Sequence, residues 1–223
     1  MFTQVRTPQD VFFSPQRLLV PLFQRPYVWN HESQWLPLWQ DVERVANRVL
    51  SNGTATPHFL GAVVLQQQLN ETGSLATRTI IDGQQRLTTL QLLLDAIRRQ
   101  LKERSLDTLS SQAKNLVQNQ DEYRRSDEDT FKVWPTNRDR QIYTSVMKDD
   151  QAPKAKDGEI RGRIGEAHAF FSNAVSEWLG DSDFEKRAMA LVDAVSRYLQ
   201  LVVIDLQADE DAQEIFETLN ARG

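Results

Sequence analysis

Ten consecutive residues hold the densest potential for chemistry: Ile80-Ile81-Asp82-Gly83-Gln84-Gln85-Arg86-Leu87-Thr88-Thr89. The run reads as a buried strand that stops at Asp-Gly, with a helix starting within a few residues. Free backbone N–H groups at such a start, with the helix dipole, favour a phosphate. Gly83 lets the backbone turn and approach a ligand closely. Asp82 could hold Mg²⁺ or a water, and Gln84 or Gln85 could orient a water or read a base. Arg86 could neutralise phosphate charge in a transition state. Thr88 and Thr89 add hydroxyls in the first turns. An ordinary structural reading stands beside this one, since Asp-Gly is a common turn, Asp a common cap, and Gln and Arg good exposed helix formers. No Gly-rich loop ending in Gly-Lys-Ser/Thr exists, so a nucleotide site here is not a P-loop.

Three further segments carry suitable side chains. In Gln24-Arg25-Pro26-Tyr27-Val28-Trp29, a Gln and an Arg beside two large aromatics could grip a phosphate and stack on a base. The same residues could instead be a Pro-containing loop whose Tyr and Trp plug the core. In Pro135-Thr136-Asn137-Arg138-Asp139, Asn137 and Arg138 could meet a ligand, or the segment could simply cap a helix. In Phe216-Glu217-Thr218-Leu219-Asn220-Ala221-Arg222-Gly223, Asn220 and Arg222 fall at a helix end, where an Arg also complements the dipole. The run Arg98, Arg99, Lys102 and Arg104 reads as a weak DNA patch or, with Asp95 and Glu103 interleaved, as a solvated face. His168, beside an apolar stripe, reads as a partly buried, hydrogen-bonded histidine, and His31 as part of a helix start.

Composition narrows the chemistry. The 223 residues contain no Cys, which excludes disulfides, thiolate metal sites and cysteine nucleophiles. The 3 histidines, His31, His58 and His168, are far apart, which argues against a His-rich zinc site. A net charge of −5 disfavours DNA binding by a bulk basic surface but leaves room for a local basic groove. No apolar run is long enough to span a membrane, and Met1 to Gln16 lacks a signal peptide's continuous apolar stretch, so the expectation is a cytoplasmic protein.

The elements that must position these residues follow from periodicity. Val11 to Leu22 reads as an extended lead-in broken by Pro15 and Pro21. Asn30 is a plausible N-cap, and Trp35, Leu38, Val42, Val45 and Val49 mark one helix face. His58 to Gln67 and Leu75 to Ile81 read as an antiparallel hairpin around Asn70-Glu71-Thr72-Gly73-Ser74. Leu87, Leu90, Leu94, Ile97 and Leu101 make a long amphipathic helix in which Asp95 and Arg99 can pair. Ser105 to Asp129 is polar and partly helical. Phe131 to Pro135 is a short strand, Thr136 to Lys148 a helix, and Asp149 to Gly158 a charged loop suited to disorder. Two helices follow, striped by Ile164, Ala167, Phe171, Ala174 and Trp178, and by Phe184, Ala188, Leu191, Val195 and Tyr198. Leu199 to Leu206 is a buried strand, and a last helix starts near Asp209. This irregular mixture predicts an α+β fold with a small mixed sheet and many helices, not a doubly wound parallel sheet.

Taken in order, Phe23 to Trp29, Phe59-Leu60-Gly61-Ala62-Val63-Val64-Leu65, Ile81 to Leu90, Pro135 to Asp139 and Ile215 to Gly223 form a specific set. The set resembles the N-terminal domain of GmrSD-type modification-dependent restriction endonucleases, a domain shared with a phosphorothioate-sensing anti-phage effector. The resemblance covers the chain from about Val20 onward. It implies a core similar to the ParB and sulfiredoxin folds, with an α/β core over about 11–104, a helical elaboration over about 105–198, and a returning strand and helix over 199–223. It ties Asp82, Gly83, Gln84, Gln85 and Arg86 to binding and hydrolysis of a nucleoside triphosphate, GTP or ATP, with Mg²⁺ held at Asp82. Thr88, Asn137, Asn220 and Arg222 join Gly83 as nucleotide contacts. Gln24, Arg25, Pro26, Tyr27 and Trp29 become the DNA-reading residues. A pocket of Pro26 and Tyr27 beside Arg25 would suit the larger, less hydrated sulfur of a phosphorothioate. A second expectation is a non-enzymatic regulatory module. Family members continue into an HNH-type nuclease, so the resemblance implies a sensing fragment whose partners are modified DNA and that nuclease part, with no membrane.

Overall fold

The computed structural model describes residues 1–22, 24–148 and 162–220, with the side chains of 216 and 218–220 left aside. Phe23, the charged segment 149–158, Arg222 and Gly223 therefore lie outside the described residues. The chain opens with β1 (Phe2–Arg6), α1 (Pro8–Phe12) and β2 (Gln16–Leu19). The expected extended lead-in is thus corrected at its start. Thr7 and Asp10 form a capping box with Pro8 at the first helical position, which turns Val11 and Phe12 into a buried helical turn. Pro15 and Pro21 bracket the extended part.

α2 (Leu36–Asn52) follows a π turn over His31–Trp35 that Asn30 caps, its side chain accepting the Ser33 N–H at 3.0 Å. Trp35, Val42, Val45 and Val49 face inward as their spacing predicts, with Leu38 partly buried beside them. β3 (His58–Gln67) and β4 (Ala76–Asp82) form the expected antiparallel pair. α3 (Gln84–Glu103), α4 (Asp107–Val117), β5 (Val133–Trp134) and α5 (Asn137–Lys148) follow. α6 (Gly162–Leu179), α7 (Phe184–Asp193), β6 (Leu199–Leu206) and α8 (Ala212–Asn220) complete the described chain. The second predicted stripe ends in a π turn, Ala194–Tyr198, that feeds β6.

The strands form one mixed six-stranded sheet in the order β1-β6-β3-β4-β2-β5, so the fold is α+β. β2 lies between β4 and β5 and is parallel to both, and β3 runs antiparallel to β4. β6 lies parallel to β3 and antiparallel to β1. Leu18, Val63, Leu65, Ile80, Leu199, Leu201 and Val203 from the sheet join the helices in one core.

α3 runs through that core, packed against α4 and α6. It is buried on every side from Leu87 to Leu101, not amphipathic. The solvated face predicted at Arg98 and Arg99 is corrected accordingly, since these residues are 5% and 2% exposed. Their charge is met inside by the fully buried Asp95. Its Oδ1 takes Arg98 Nε at 2.8 Å, and its Oδ2 takes Arg99 Nε at 2.7 Å and faces His168 Nε2 of α6 at 2.9 Å. Burial alone would raise the Asp95 carboxyl, but the His168 hydrogen bond and the charges of His168, Arg98 and Arg99 bring it below the usual range. Lys102 alone of that run is well exposed, paired with Asp107 at 2.7 Å.

Candidate functional site

Parallel pairing of β2, β4 and β5 puts their C-terminal ends side by side. The segment 24–29 follows β2, Gly83 and α3 follow β4, and Pro135 to Asp139 follow β5. Three of the four segments singled out in the sequence therefore meet at one edge of the sheet, the edge where open α/β sheets bind ligands. The antiparallel β3 brings its first half, Phe59 to Val64, to the same edge.

Asp82 ends β4 and is exposed. Gly83 takes φ 87° as the N-cap of α3, and a Cβ there would sit 2.6 Å from Val63 Cγ1. Only glycine fits this left-handed, crowded position. Having no side chain, Gly83 makes no cap bond, and the first intrahelical bond is Leu87 N–H to Gly83 O at 3.0 Å. The N-terminus of a twenty-residue helix thus opens at the sheet edge without a protein cap.

Arg86 is half-buried one turn in, and its Nη1 donates to Ala62 O at 2.7 Å. Burial lowers its guanidinium below the ordinary value, and the charge of Asp82 opposes that shift. Asp82 and Arg86 are therefore an electrostatic pair at the mouth of the edge.

Gln84 and Gln85 face the loop after β2. Gln84 Nε2 donates to Gln24 Oε1 at 3.2 Å and to Arg25 O at 3.1 Å. Gln85 Nε2 donates to Pro26 O at 3.0 Å, and its Oε1 accepts the Val28 N–H at 2.9 Å. Gln24 Nε2 reaches Ile81 O at 3.1 Å, the residue that β4 bulges out against β3. Both glutamines are buried, so their amides hold the 24–28 segment against the start of α3.

Tyr27 is 6% exposed and its hydroxyl is a hub, 2.7 Å from Thr89 Oγ1 and 2.9 Å from Trp35 Nε1. Burial pushes its phenol up to about 12, and the two hydrogen bonds oppose the shift. Trp29 packs against the core from the outside. Arg25 is exposed, Pro26 half-buried and Val28 44% exposed, so the loop turns Tyr27 inward and offers Arg25 outward. The plug reading of this segment holds at Tyr27, while Arg25 stays open to solvent. Thr88 is buried within α3, and Asn137 is exposed at the start of α5. Asn220 closes α8 with its side chain outside the described part, so neither it nor Arg222 is located relative to this edge.

Asp139 is absent from the candidate residues above and proves central. Its Oδ2 accepts the Tyr27 N–H at 2.7 Å and the Thr136 hydroxyl at 3.2 Å, fastening the 24–29 loop to the start of α5. The Thr-x-x-Asp spacing in Pro135-Thr136-Asn137-Arg138-Asp139 is a capping signature that marks Asp139 as a backbone-binding carboxylate.

A groove of about 650 Å³ lies elsewhere, lined by Phe13, Leu50, Leu109, Met189 and Arg197 among others. Its volume lies within the range of small-ligand clefts, but it gathers none of the residues just described. The convergence of three segments on one edge outweighs volume as a guide to chemistry.

These features define an α+β protein whose candidate site residues gather at the carboxyl ends of three parallel strands. Residues 9–223 match the N-terminal domain of GmrSD restriction endonucleases, and the chain belongs to that family. It is thus a domain of the restriction-endonuclease type, from antiviral defence systems that act on DNA. No curated protein matches it. No helix among the described residues is long and apolar enough to cross a membrane.

Proposed function

We propose that the chain is the sensing domain of an anti-phage restriction effector, hydrolysing a nucleoside triphosphate, GTP or ATP, and reading a DNA modification, phosphorothioate being the one the loop suits. The observation that carries this reading is the convergence of 24–29, 82–86 and 135–139 on one edge, with an uncapped helix start between them. The α3 N–H groups would receive phosphate oxygens, and Arg86 would clamp the same charge from the side. Asp82 would hold Mg²⁺ or a water. Among the described residues no group of three His, Asp or Glu stands ready for a metal, but one carboxylate with waters and phosphate oxygens is an ordinary Mg²⁺ ligand set. Bound there, Mg²⁺ would supply charge neutralisation on the phosphates. Gln84 and Gln85 position the DNA-facing loop, whose Arg25 would meet the DNA backbone beside Pro26. Thr88, Asn137, Asn220 and Arg222 remain proposed nucleotide contacts, and an HNH-type nuclease part the proposed partner.

One observation favours a second reading. Both glutamine side chains are spent on the loop, which leaves Asp82, and Arg86 beyond its one bond to Ala62 O, as the polar groups of the motif for chemistry. The domain would then bind nucleotide as a switch and need the nuclease part for hydrolysis. Phosphate release from GTP and ATP with Mg²⁺, with and without phosphorothioate duplex, separates the two. Hydrolysis by the wild type that Asp82→Ala abolishes, with an unchanged circular dichroism spectrum, supports the first. Nucleotide binding with no phosphate release supports the second, and unaltered hydrolysis in a folded Asp82→Ala protein overturns the role of Asp82.

A further inference from the structure

Gly61 interrupts β3. Against β6, Phe59 pairs with Gln200 and Ala62 with Val202, so β3 carries one extra residue between these two points. Gly61 takes φ +112°, a conformation open to glycine and strained for other residues. The bulge has a second property. A Cβ on Gly61 would lie 2.7 Å from both Cζ and Nη2 of Arg86 and 3.0 Å from its Nε. The guanidinium thus lies in the space that a side chain at 61 would fill, while its Nη1 donates to the next carbonyl, Ala62 O, at 2.7 Å.

We propose that Gly61 is a positioning residue for the anion site. Its missing side chain is the berth of the Arg86 guanidinium, and the bulge presents the Ala62 carbonyl that fixes the guanidinium's direction. The inference rests on the reading of Arg86 as phosphate clamp. It adds that the clamp's aim is set by the backbone of β3, more than twenty residues earlier in the chain. The two glycines of the edge differ in what they protect. At Gly83 the obstacle to a methyl group is Val63, a fully buried strand side chain, so substitution strikes the core. At Gly61 the obstacle is the mobile end of an arginine, which can swing away, so substitution strikes the site.

The test is a double-mutant cycle on the chain with Gly61→Ala, Arg86→Ala and both together, reading affinity for Mg-GTP and Mg-ATP. Gly61→Ala is expected to weaken binding about 10- to 100-fold, the range of a hydrogen bond to a charged group. It should add nothing in the Arg86→Ala background. Additive losses, or wild-type affinity in Gly61→Ala, overturn the proposal. The Nε–Hε NMR resonance of Arg86, assigned through Arg86→Lys and recorded without nucleotide, is expected to move in Gly61→Ala. If the wild type binds neither nucleotide, the nucleotide reading fails, and this resonance alone decides whether Gly61 seats Arg86. An unmoved resonance overturns the seat. If Gly61→Ala does not fold, the double variant decides. Recovery of folding locates the clash at Arg86 and supports the berth, whereas failure of both assigns the glycine to backbone strain and overturns it.

Discussion

The Tyr27 hydroxyl accepts the Trp35 indole N–H and donates to Thr89 Oγ1, whose hydroxyl donates in turn to Gln85 O at 2.7 Å. This relay makes Tyr27 the fixed end of a loop whose exposed end is Arg25. The two residues should therefore fail differently. Tyr27→Phe orphans two buried partners and is expected to cost about 1–3 kcal/mol, read as a lower urea midpoint, while the folded variant keeps its DNA affinity. Arg25→Ala, at an exposed position, is expected to leave stability within about 0.5 kcal/mol and to weaken binding of a phosphorothioate duplex. The reverse pattern would make Tyr27 the reader and Arg25 the scaffold. At this scale the sequence was legible in residue types and silent about partners. Asp82-Gly83-Gln84-Gln85-Arg86 stands out on inspection, but the amides of Gln84 and Gln85 bind backbone about 60 residues away, and no local spacing encodes that. Asp139 was overlooked for the same reason, since its bond to Tyr27 spans 112 residues.

Elements were read well where a period had a single cause. β3, β6 and α5 begin and end close to where apolar runs or capping placed them. α3 was misread because its charges imitate a polar face, while the fold surrounds the helix and neutralises them on Asp95. Asp95→Ala would leave Arg98 and Arg99 buried without their carboxylate. A loss of about 3–5 kcal/mol is expected, seen as a collapse of the thermal midpoint. β1 was missed because a five-residue edge strand has too few alternations to register. Lys132, just before β5, shows how such peripheral elements are tied down. Its Nζ donates to Ser14 O at 3.0 Å and to Phe13 O at 3.3 Å, at the end of α1. Burial, with the charge of Arg124, lowers its ammonium from 10.5 to about 8. Between those values the unfolded chain holds a proton that the native protein has shed, so stability rises with pH across that window. At about 1.4 kcal/mol per pH unit, the wild type should gain up to about 3 kcal/mol on Lys132→Met between pH 8 and 10.5. Urea unfolding of both at pH 8, 9 and 10 tests this, and a constant difference would return Lys132 to an ordinary lysine.

For the whole molecule, the net charge of −5 decides how DNA can be met. A protein that binds by neutralising many phosphates loses affinity steeply as salt rises, with a slope of about −0.9 per phosphate contacted. Here Arg98 and Arg99 of α3 are committed to the interior, Lys102 is paired with Asp107, and Arg86 donates to Ala62 O. The cations offered at the candidate site are Arg25, on a loop held by Gln84, Gln85 and Asp139, and Arg138, exposed at the start of α5. Few phosphates can be neutralised at that loop, so recognition must come from fit at the modified position more than from charge. The expected salt dependence for phosphorothioate duplex is therefore shallow, with a slope of about −1 to −2, and Arg25→Ala should reduce it by about one contact. Unmodified duplex should bind weakly at every salt concentration, because a net acidic surface gives it no bulk attraction. Fluorescence anisotropy across a salt series measures both. A slope steeper than about −5 for either duplex would show that a broad basic surface, not the loop after β2, carries the DNA. Equal affinity for the two duplexes would remove sensing from this domain while leaving its nucleotide site to stand on its own test.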